Sequence, residues 1–198
     1  GPIALGGDRR KVTILMSDLR GFSPMSERHS PEQVVTVLNR YLGAMADVIS
    51  KYHGTIDEFI GDAILAIFGA PTQADDDAER AVACALAMQA ALVAVNDENR
   101  RSGMPLLEMG IGIHTGEAIV GNIGSEKRAK YGVVGSAVNL TGRIESYTVG
   151  GQVIVSEATA AEVPDLLRIA RRLQMTAKGL REPVNLLEVT GIGGRHGS

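Results

Sequence analysis

The sequence predicts an α+β domain, and three observations carry that prediction. Short β-branched apolar runs recur along the chain, several of them paired across a glycine turn. Two long stretches instead show apolar residues at helical spacing. Their order is strand, helix, hairpin, helix, strands, which lays helices on a largely antiparallel sheet.

Residues 1–10 read as a loose lead-in. Gly1-Pro2 has the form of a cleavage remnant, and a chain that does not start with Met reads as an excised domain, upstream of which a sensor or a membrane anchor would be invisible. Val12 to Met16 is a short buried strand, ending at the polar turn Ser17-Asp18-Leu19-Arg20-Gly21-Phe22-Ser23. Ser30-Pro31-Glu32-Gln33 starts a helix, with Ser as N-cap, Pro at the first helical position and Gln three residues on. Val34, Val35, Leu38, Leu42, Met45 and Ile49 supply its apolar periodicity, and Gly54 ends it. Thr55 to Phe68 reads as a hairpin about Gly61-Asp62. Asp75-Asp76-Asp77 opens a second long helix reaching about Arg101, since acidic residues in a first turn suit the helix dipole.

Leu107 to Thr115 and Glu117 to Ile123 read as two strands about Thr115-Gly116, followed by a strand at Lys130–Val134 and a helix from Gly135 to Ser146. Gln152 to Val155 is a strand, Ser156 caps a short helix, and strands near Leu166–Gln174 and Pro183–Val189 close the sheet. The whole is a ferredoxin-like, palm-type βαββαβ core with C-terminal strand additions, spanning residues 11–190. The glycine-rich tail 191–198 is expected to be mobile.

Composition narrows the function. At 198 residues, 44% hydrophobic and 22% charged, the chain can bury a core and is not disordered. A net charge of −3 gives no reason to expect a nucleic-acid partner. No apolar run approaches the roughly 20 residues of a membrane helix. One cysteine, Cys84, precludes an intrachain disulfide and fits a reducing, cytoplasmic setting. It lies in an apolar run and reads as a core residue.

The chemistry concentrates at two aspartates. Asp18 follows the first strand and Asp62 sits at the tip of the next hairpin; in a βαββ unit those strands can be neighbours, so both carboxylates reach one end of the sheet. They repel unless a hard cation lies between them. Mg²⁺ is typically held by one or two carboxylates plus substrate phosphates, and two such ions can activate an attacking oxygen and stabilise a leaving one. Gly21-Phe22-Ser23 opens a short helix whose free N–H groups could cradle a triphosphate.

Three motifs in order resemble the class III nucleotidyl cyclases. Asp18-Leu19-Arg20-Gly21-Phe22-Ser23 resembles their Asp, two variable residues, Gly-Phe, Thr/Ser motif. Phe59 to Gly69 (Phe-Ile-Gly-Asp-Ala-Ile-Leu-Ala-Ile-Phe-Gly) resembles their metal-binding hairpin, and Val138-Asn139-Leu140-Thr141-Gly142-Arg143-Ile144-Glu145 their transition-state helix. The resemblance runs from about Lys11 to Val189. It implies that Asp18, Leu19 and Asp62 form the binding set for two divalent cations, Mg²⁺ or Mn²⁺. It also implies a head-to-tail dimer in which the partner supplies Asn139, Arg143 and the purine-reading positions. One sequence carries both sets, so a homodimer is expected.

Asn139 and Arg143 are four apart, on one face of a helix. As the ribose 3′-oxygen attacks the α-phosphate, charge builds on phosphoryl oxygens; a guanidinium there acts only in the transition state. The alternative for Arg143 is a surface cation paired with Glu145 or Glu117. The family's terminal-phosphate cation falls in Lys178-Gly179-Leu180-Arg181, and the spacing leaves Lys178 and Arg181 both open.

The purine-reading positions are Glu58 and Gly132. Adenylyl cyclases commonly carry Lys at the first and Asp or Thr at the second; Glu at the first resembles guanylyl cyclases, many of which carry Cys at the second. A carboxylate can accept from guanine N1–H and N2–H₂ together, whereas adenine N1 would face it lone pair to lone pair. Cyclisation of GTP is therefore expected over that of ATP. Asp57 and Glu58 are strand neighbours and should point to opposite faces, so only one can face the site.

Two other readings stand beside this one. A non-catalytic cyclase homology domain would bind nucleotide and regulate a partner, although Asp18, Asp62, Asn139 and Arg143 are all present. A bare dimerisation module leaves the paired carboxylates without a purpose. His29, His53, His114 and His196 are not spaced as a metal cluster, and His114 reads as a packed, satisfied residue.

Overall fold

A computed structural model describes residues 5–176 and 178–196. The elements are β1 (Gly6–Arg20), α1 (Phe22–Glu27), α2 (Pro31–Lys51), β2 (Thr55–Ile60), β3 (Ala63–Phe68), α3 (Asp77–Arg101), β4 (Glu108–Ser125), β5 (Arg128–Val134), α4 (Ser136–Ser146), β6 (Val153–Ser156), α5 (Glu157–Ala161), β7 (Leu167–Met175) and β8 (Val184–Ile192), then a 3₁₀ turn at Gly194–His196. The sheet runs β2-β3-β1-β4-β6-β8-β7, with β5 paired to the far half of β4. The β4-β1-β3-β2 portion is antiparallel throughout, the arrangement expected of a ferredoxin-like βαββαβ core.

Alternation along the central strands explains why helices cover both faces. Leu15 and Leu19 of β1, with Ile64, Ala66 and Phe68 of β3, face a core shared with α2 and α3. Val12 and Ile14, with Leu65 and Ile67, face the opposite core, where Ala137 of α4 and Val133 of β5 pack.

Helix starts follow their local chemistry. Gln33 N–H donates to Ser30 Oγ (3.2 Å) and Ser30 N–H to Gln33 Oε1 (3.1 Å), a complete capping box. The buried stripe of α2 is Val37, Tyr41, Met45 and Ile49; Leu38 and Leu42 pack at its flank and Val35 faces solvent. The stripe thus lies one position off the Val34-Leu38-Leu42 row that the periodicity suggests. The acidic run does open α3: Arg80 pairs with Asp76 and Asp77, and Ala74 N–H donates to Asp77 Oδ2. By length and composition alone α3 could cross a membrane, but 56% of its most apolar window is buried in the fold. Cys84 lies in that core, and burial pushes its thiol up to about 12.

Three expectations are corrected. The lead-in is shorter than residues 1–10, because β1 begins at Gly6 and pairs there with Asn122 of β4. Residues 1–4, Gly1 and Pro2 among them, lie outside the described residues. There is no turn at Thr115-Gly116: β4 is one 18-residue strand, paired from Glu108 to Asn122 with the 15-residue β1. Gly116 marks instead a close approach, since a Cβ there would lie 3.4 Å from Ala137 Cβ at the start of α4. The tail does not loosen at Gly191, because β8 continues to Ile192 and His196 Nε2 reaches Asp76 Oδ2 at 3.1 Å. Residues 197–198 lie outside the described residues.

Candidate active site

β1 outlasts its partner β3. Their pairing ends at Ser17–Ile64, so Asp18 and Leu19 run past the last rung while Gly61-Asp62 turns beside them. Gly61 takes φ 63° and Gly21 φ 72°, left-handed conformations that glycine adopts without a Cβ clash. The first makes the hairpin tip; the second swings the chain from β1 into α1, where the N–H groups of Phe22 and Ser23 stand in the first turn without intrahelical acceptors.

Asp18 and Asp62 are both half-buried. Desolvation, and then the Asp18 carboxylate facing it, push the Asp62 carboxyl from an ordinary 3.8 up to about 6. Asp18 Oδ1 accepts from Leu19 N–H at 2.9 Å. Arg20, two residues along, does not neutralise the pair, because it is engaged by Glu145. Among the described residues no group of three His, Cys, Asp or Glu forms a protein-only metal cage. Two facing carboxylates beside a strand end with an unpaired edge fit a hard divalent ion that takes its remaining ligands from backbone and phosphate oxygens.

Asn139 and Arg143 lie exposed on α4 and share two cavities, of about 540 and 580 Å³. Neither cavity is lined by Asp18 or Asp62. The acceptors that might have tied Arg143 down are engaged elsewhere: Glu145 pairs with Arg20, and Glu117 with Arg9 at 3.8 Å. Gly179, between Lys178 and Leu180, approaches Arg143 so that a Cβ there would lie 3.8 Å from Nη2. The β7–β8 loop carrying the exposed Lys178 and Arg181 is therefore beside the helix. His114 Nδ1 is 2.7 Å from Ser156 Oγ, and burial lowers its pKa, as expected of a packed, satisfied histidine.

The purine-reading positions form a third group. Pairing of β2 to β3 skips from Ile56 to Glu58, leaving Asp57 as a bulge. The expectation that Asp57 and Glu58 point to opposite faces therefore fails: both reach Lys130 on β5, whose Nζ lies 3.1 Å from Asp57 Oδ1 and 3.3 Å from Glu58 Oε2. The Asp57 side chain is 3% exposed and that of Glu58 46%. Asp57 also fills the space that a side chain at position 132 would take. Sequence reasoning gave Lys130 no role, and treated Asp57 only as the strand neighbour alternating with Glu58. Lys130, two residues before Gly132 on the same strand, was the available signal; the bulge had none.

Three comparisons bear on this site. Residues 7–187 match the family model described as the adenylate and guanylate cyclase catalytic domain. This chain belongs to that family. It is a class III nucleotidyl cyclase catalytic domain, and its sheet and helices are those of the palm fold. It is 36% identical over 186 residues to adenylate cyclase 1 of Rhizobium meliloti, covering 93% of this chain and 28% of that protein. Identity to the adenylate cyclase of Anabaena cylindrica is 35% over 189 residues, 91% of this chain and 37% of that one. The cyclase domain thus spans little more than a third of these relatives, or less. Among solved structures it resembles the guanylyl cyclase Cya2, with a TM-score of 0.94 at 56% identity over 96% of this chain and 97% of that one. It also resembles the adenylyl cyclase CyaB from P. aeruginosa, with a TM-score of 0.89 at 35% identity over 96% and 98%.

Proposed function

We propose that this domain is a guanylate cyclase, converting GTP to cyclic GMP and pyrophosphate in a homodimer with two shared sites. The observation that carries the preference is the Glu58 carboxylate, half-exposed at a strand edge and held by Lys130. An ionised carboxylate accepts from guanine N1–H and N2–H₂ together, while the adjacent ammonium offers a donor to O6. Adenine would set its N1 lone pair against the carboxylate and its N6 amine near the ammonium, leaving polar groups mispaired. Similarity to Cya2, a guanylyl cyclase, supports the same reading; adenylate cyclisation is the alternative, supported by the two relatives that bear that name.

The remaining residues have the following roles in this reading. Asp18, Asp62 and the Leu19 backbone would hold two divalent cations, Mg²⁺ or Mn²⁺, which would supply activation of the 3′-hydroxyl and neutralisation of the leaving pyrophosphate. The first turn at Gly21-Phe22-Ser23 receives phosphate oxygens through its N–H groups. Asn139 orients the ribose. Arg143, without an ion pair among the described residues, meets the charge on the α-phosphate as the 3′-O–P bond forms and the bond to the β-phosphate breaks. Lys178 or Arg181 holds the terminal phosphates.

The separation of Asn139 and Arg143 from the carboxylates, in cavities that exclude Asp18 and Asp62, supports sharing between protomers. So do the exposed apolar side chains of Phe59, Ile60, Val134 and Tyr147, which a second copy would cover. The test is product formation from GTP and ATP in parallel, with Mg²⁺ and Mn²⁺, across protein concentrations. Cyclic GMP in excess, with specific activity rising with concentration, is expected. Cyclic AMP in excess would overturn the role of Glu58, and neither product from a demonstrated dimer would leave a regulatory nucleotide-binding domain.

A further inference from the structure

We propose that Arg20 and Glu145 are positioning residues that join the metal-binding strand to the transition-state helix within one protomer and so tie the two active sites of the dimer together. Met16, Asp18 and Arg20 share one face of β1, the face on which α4 lies; Met16 Sδ would be 3.6 Å from a Cβ on Gly142. At the end of that face, Arg20 Nη2 donates to the Glu145 carboxylate, to the Glu145 carbonyl and, at 2.7 Å, to Thr148 Oγ1. One guanidinium two residues from Asp18 therefore clamps the end of the helix that carries Asn139 and Arg143.

The clamp is buried on its Glu145 side and partly buried at Arg20. The Glu145 side chain is 7% exposed and that of Arg20 26%. Gly110 and Gly112 of β4 leave room for it: a Cβ on Gly110 would collide with Thr148 Oγ1, and one on Gly112 would lie 2.5 Å from Glu145 N. Arg20 Nε is buried without a partner among the described residues. Apolar side chains would fill this space without orphaning a donor, and a buried ion pair is poor evidence of stabilisation for its own sake. What the pair does supply is a fixed register between a strand end and a helix end.

The inference rests on the shared-site reading above. There, the Asp18 end of β1 serves one site and α4 of the same protomer serves the other. A rigid link between them makes displacement at one site a displacement at its twin.

The experiment uses single-site heterodimers, in which one chain carries Asp62→Ala and the other Arg143→Ala. The working site takes its carboxylates from the Arg143→Ala chain and its helix from the Asp62→Ala chain. The paired replacement Arg20→Met with Glu145→Leu, chosen to leave no lone buried charge, is placed in either chain. Melting temperature and sedimentation establish fold and dimer. In the carboxylate-donating chain the replacement should raise the half-saturating Mn²⁺ concentration at least tenfold, with weaker Mn²⁺ binding by electron paramagnetic resonance in the presence of a 3′-deoxynucleoside triphosphate. In the helix-donating chain it should lower kcat at least tenfold at saturating Mn²⁺, with KM for nucleotide little changed. Arg20→Lys, which keeps the charge, should recover part of each loss. Wild-type values in either placement overturn the link. Should the paired replacement not fold, Glu145→Gln in each chain gives the same two readouts. Absence of activity in the unmodified heterodimer, with heterodimers shown to form, would instead overturn the shared-site reading.

Discussion

The Asp57 carboxylate stands where the side chain of residue 132 would be: a Cβ on Gly132 would lie 2.9 Å from Asp57 Oδ1. The Asp57 side chain is 3% exposed and held by Lys130, so moving it costs that contact. The glycine at a purine-reading position is thus a space occupied by another residue's carboxylate. Gly132→Ala should cost about 1–3 kcal/mol of stability through overpacking, read by urea denaturation. It should also disturb Lys130 and Glu58, lowering kcat/KM for the preferred nucleotide more than for the other. An unchanged GTP-to-ATP ratio would show that the crowding stops at Asp57.

Asp62 makes stability depend on pH. Its carboxyl titrates near 3.8 when free and near 6 in the fold. Between those values the folded state holds more protons, so this group's contribution is fully present below about pH 4 and is lost as pH rises through about 6. Roughly 1–2 kcal/mol is expected after discounting for partial exposure. Urea midpoints in chelator should carry this component, and Asp62→Asn should lack it. Mn²⁺ should restore stability above pH 6, where the cation takes the proton's place.

Gly112→Ala should be more damaging than Gly116→Ala, though both lie on β4. At Gly112 the new Cβ meets backbone, 2.5 Å from Glu145 N and 2.8 Å from its Cα, so α4 itself must move. About 3 kcal/mol and most of the turnover should be lost. At Gly116 the nearest atom is the side-chain atom His114 Nε2 at 3.1 Å, a crowding that a shift of a few tenths of an ångström relieves without moving backbone. About 1 kcal/mol is expected there. Denaturation midpoints of the two variants check the order.

Ser30→Ala offers a control far from the chemistry. It removes one bond of the α2 capping box and should cost about 1 kcal/mol. Turnover at saturating substrate should not change.

Much of this was legible in the sequence because it depends on local chemistry. Ser30 and Gln33 announce a helix start through bonds they make with each other. Gly61-Asp62 marks a hairpin tip, and the alternation of apolar residues sets which side of each strand is buried. Asp18 and Asp62 could be brought together because a hairpin and a crossover suffice to do it. What stayed hidden depends on partners distant in sequence. Thr115-Gly116 looks like a turn until β1 is laid beside it. The stripe of α2 shifts to Val37 and Tyr41 because the sheet decides which row is covered. The bulge at Asp57 and the reach of Lys130 to both acids follow from how β2 meets β3 and β5, which no window of the chain records.

β1 and β4 remain paired rung by rung from Gly6–Asn122 to Arg20–Glu108 without a register shift. Such a ladder works as a girder: neither strand can shift along or away from the other without breaking bonds, so the two move together. A push at the Gly6 end therefore arrives at Asp18 as travel of the whole beam.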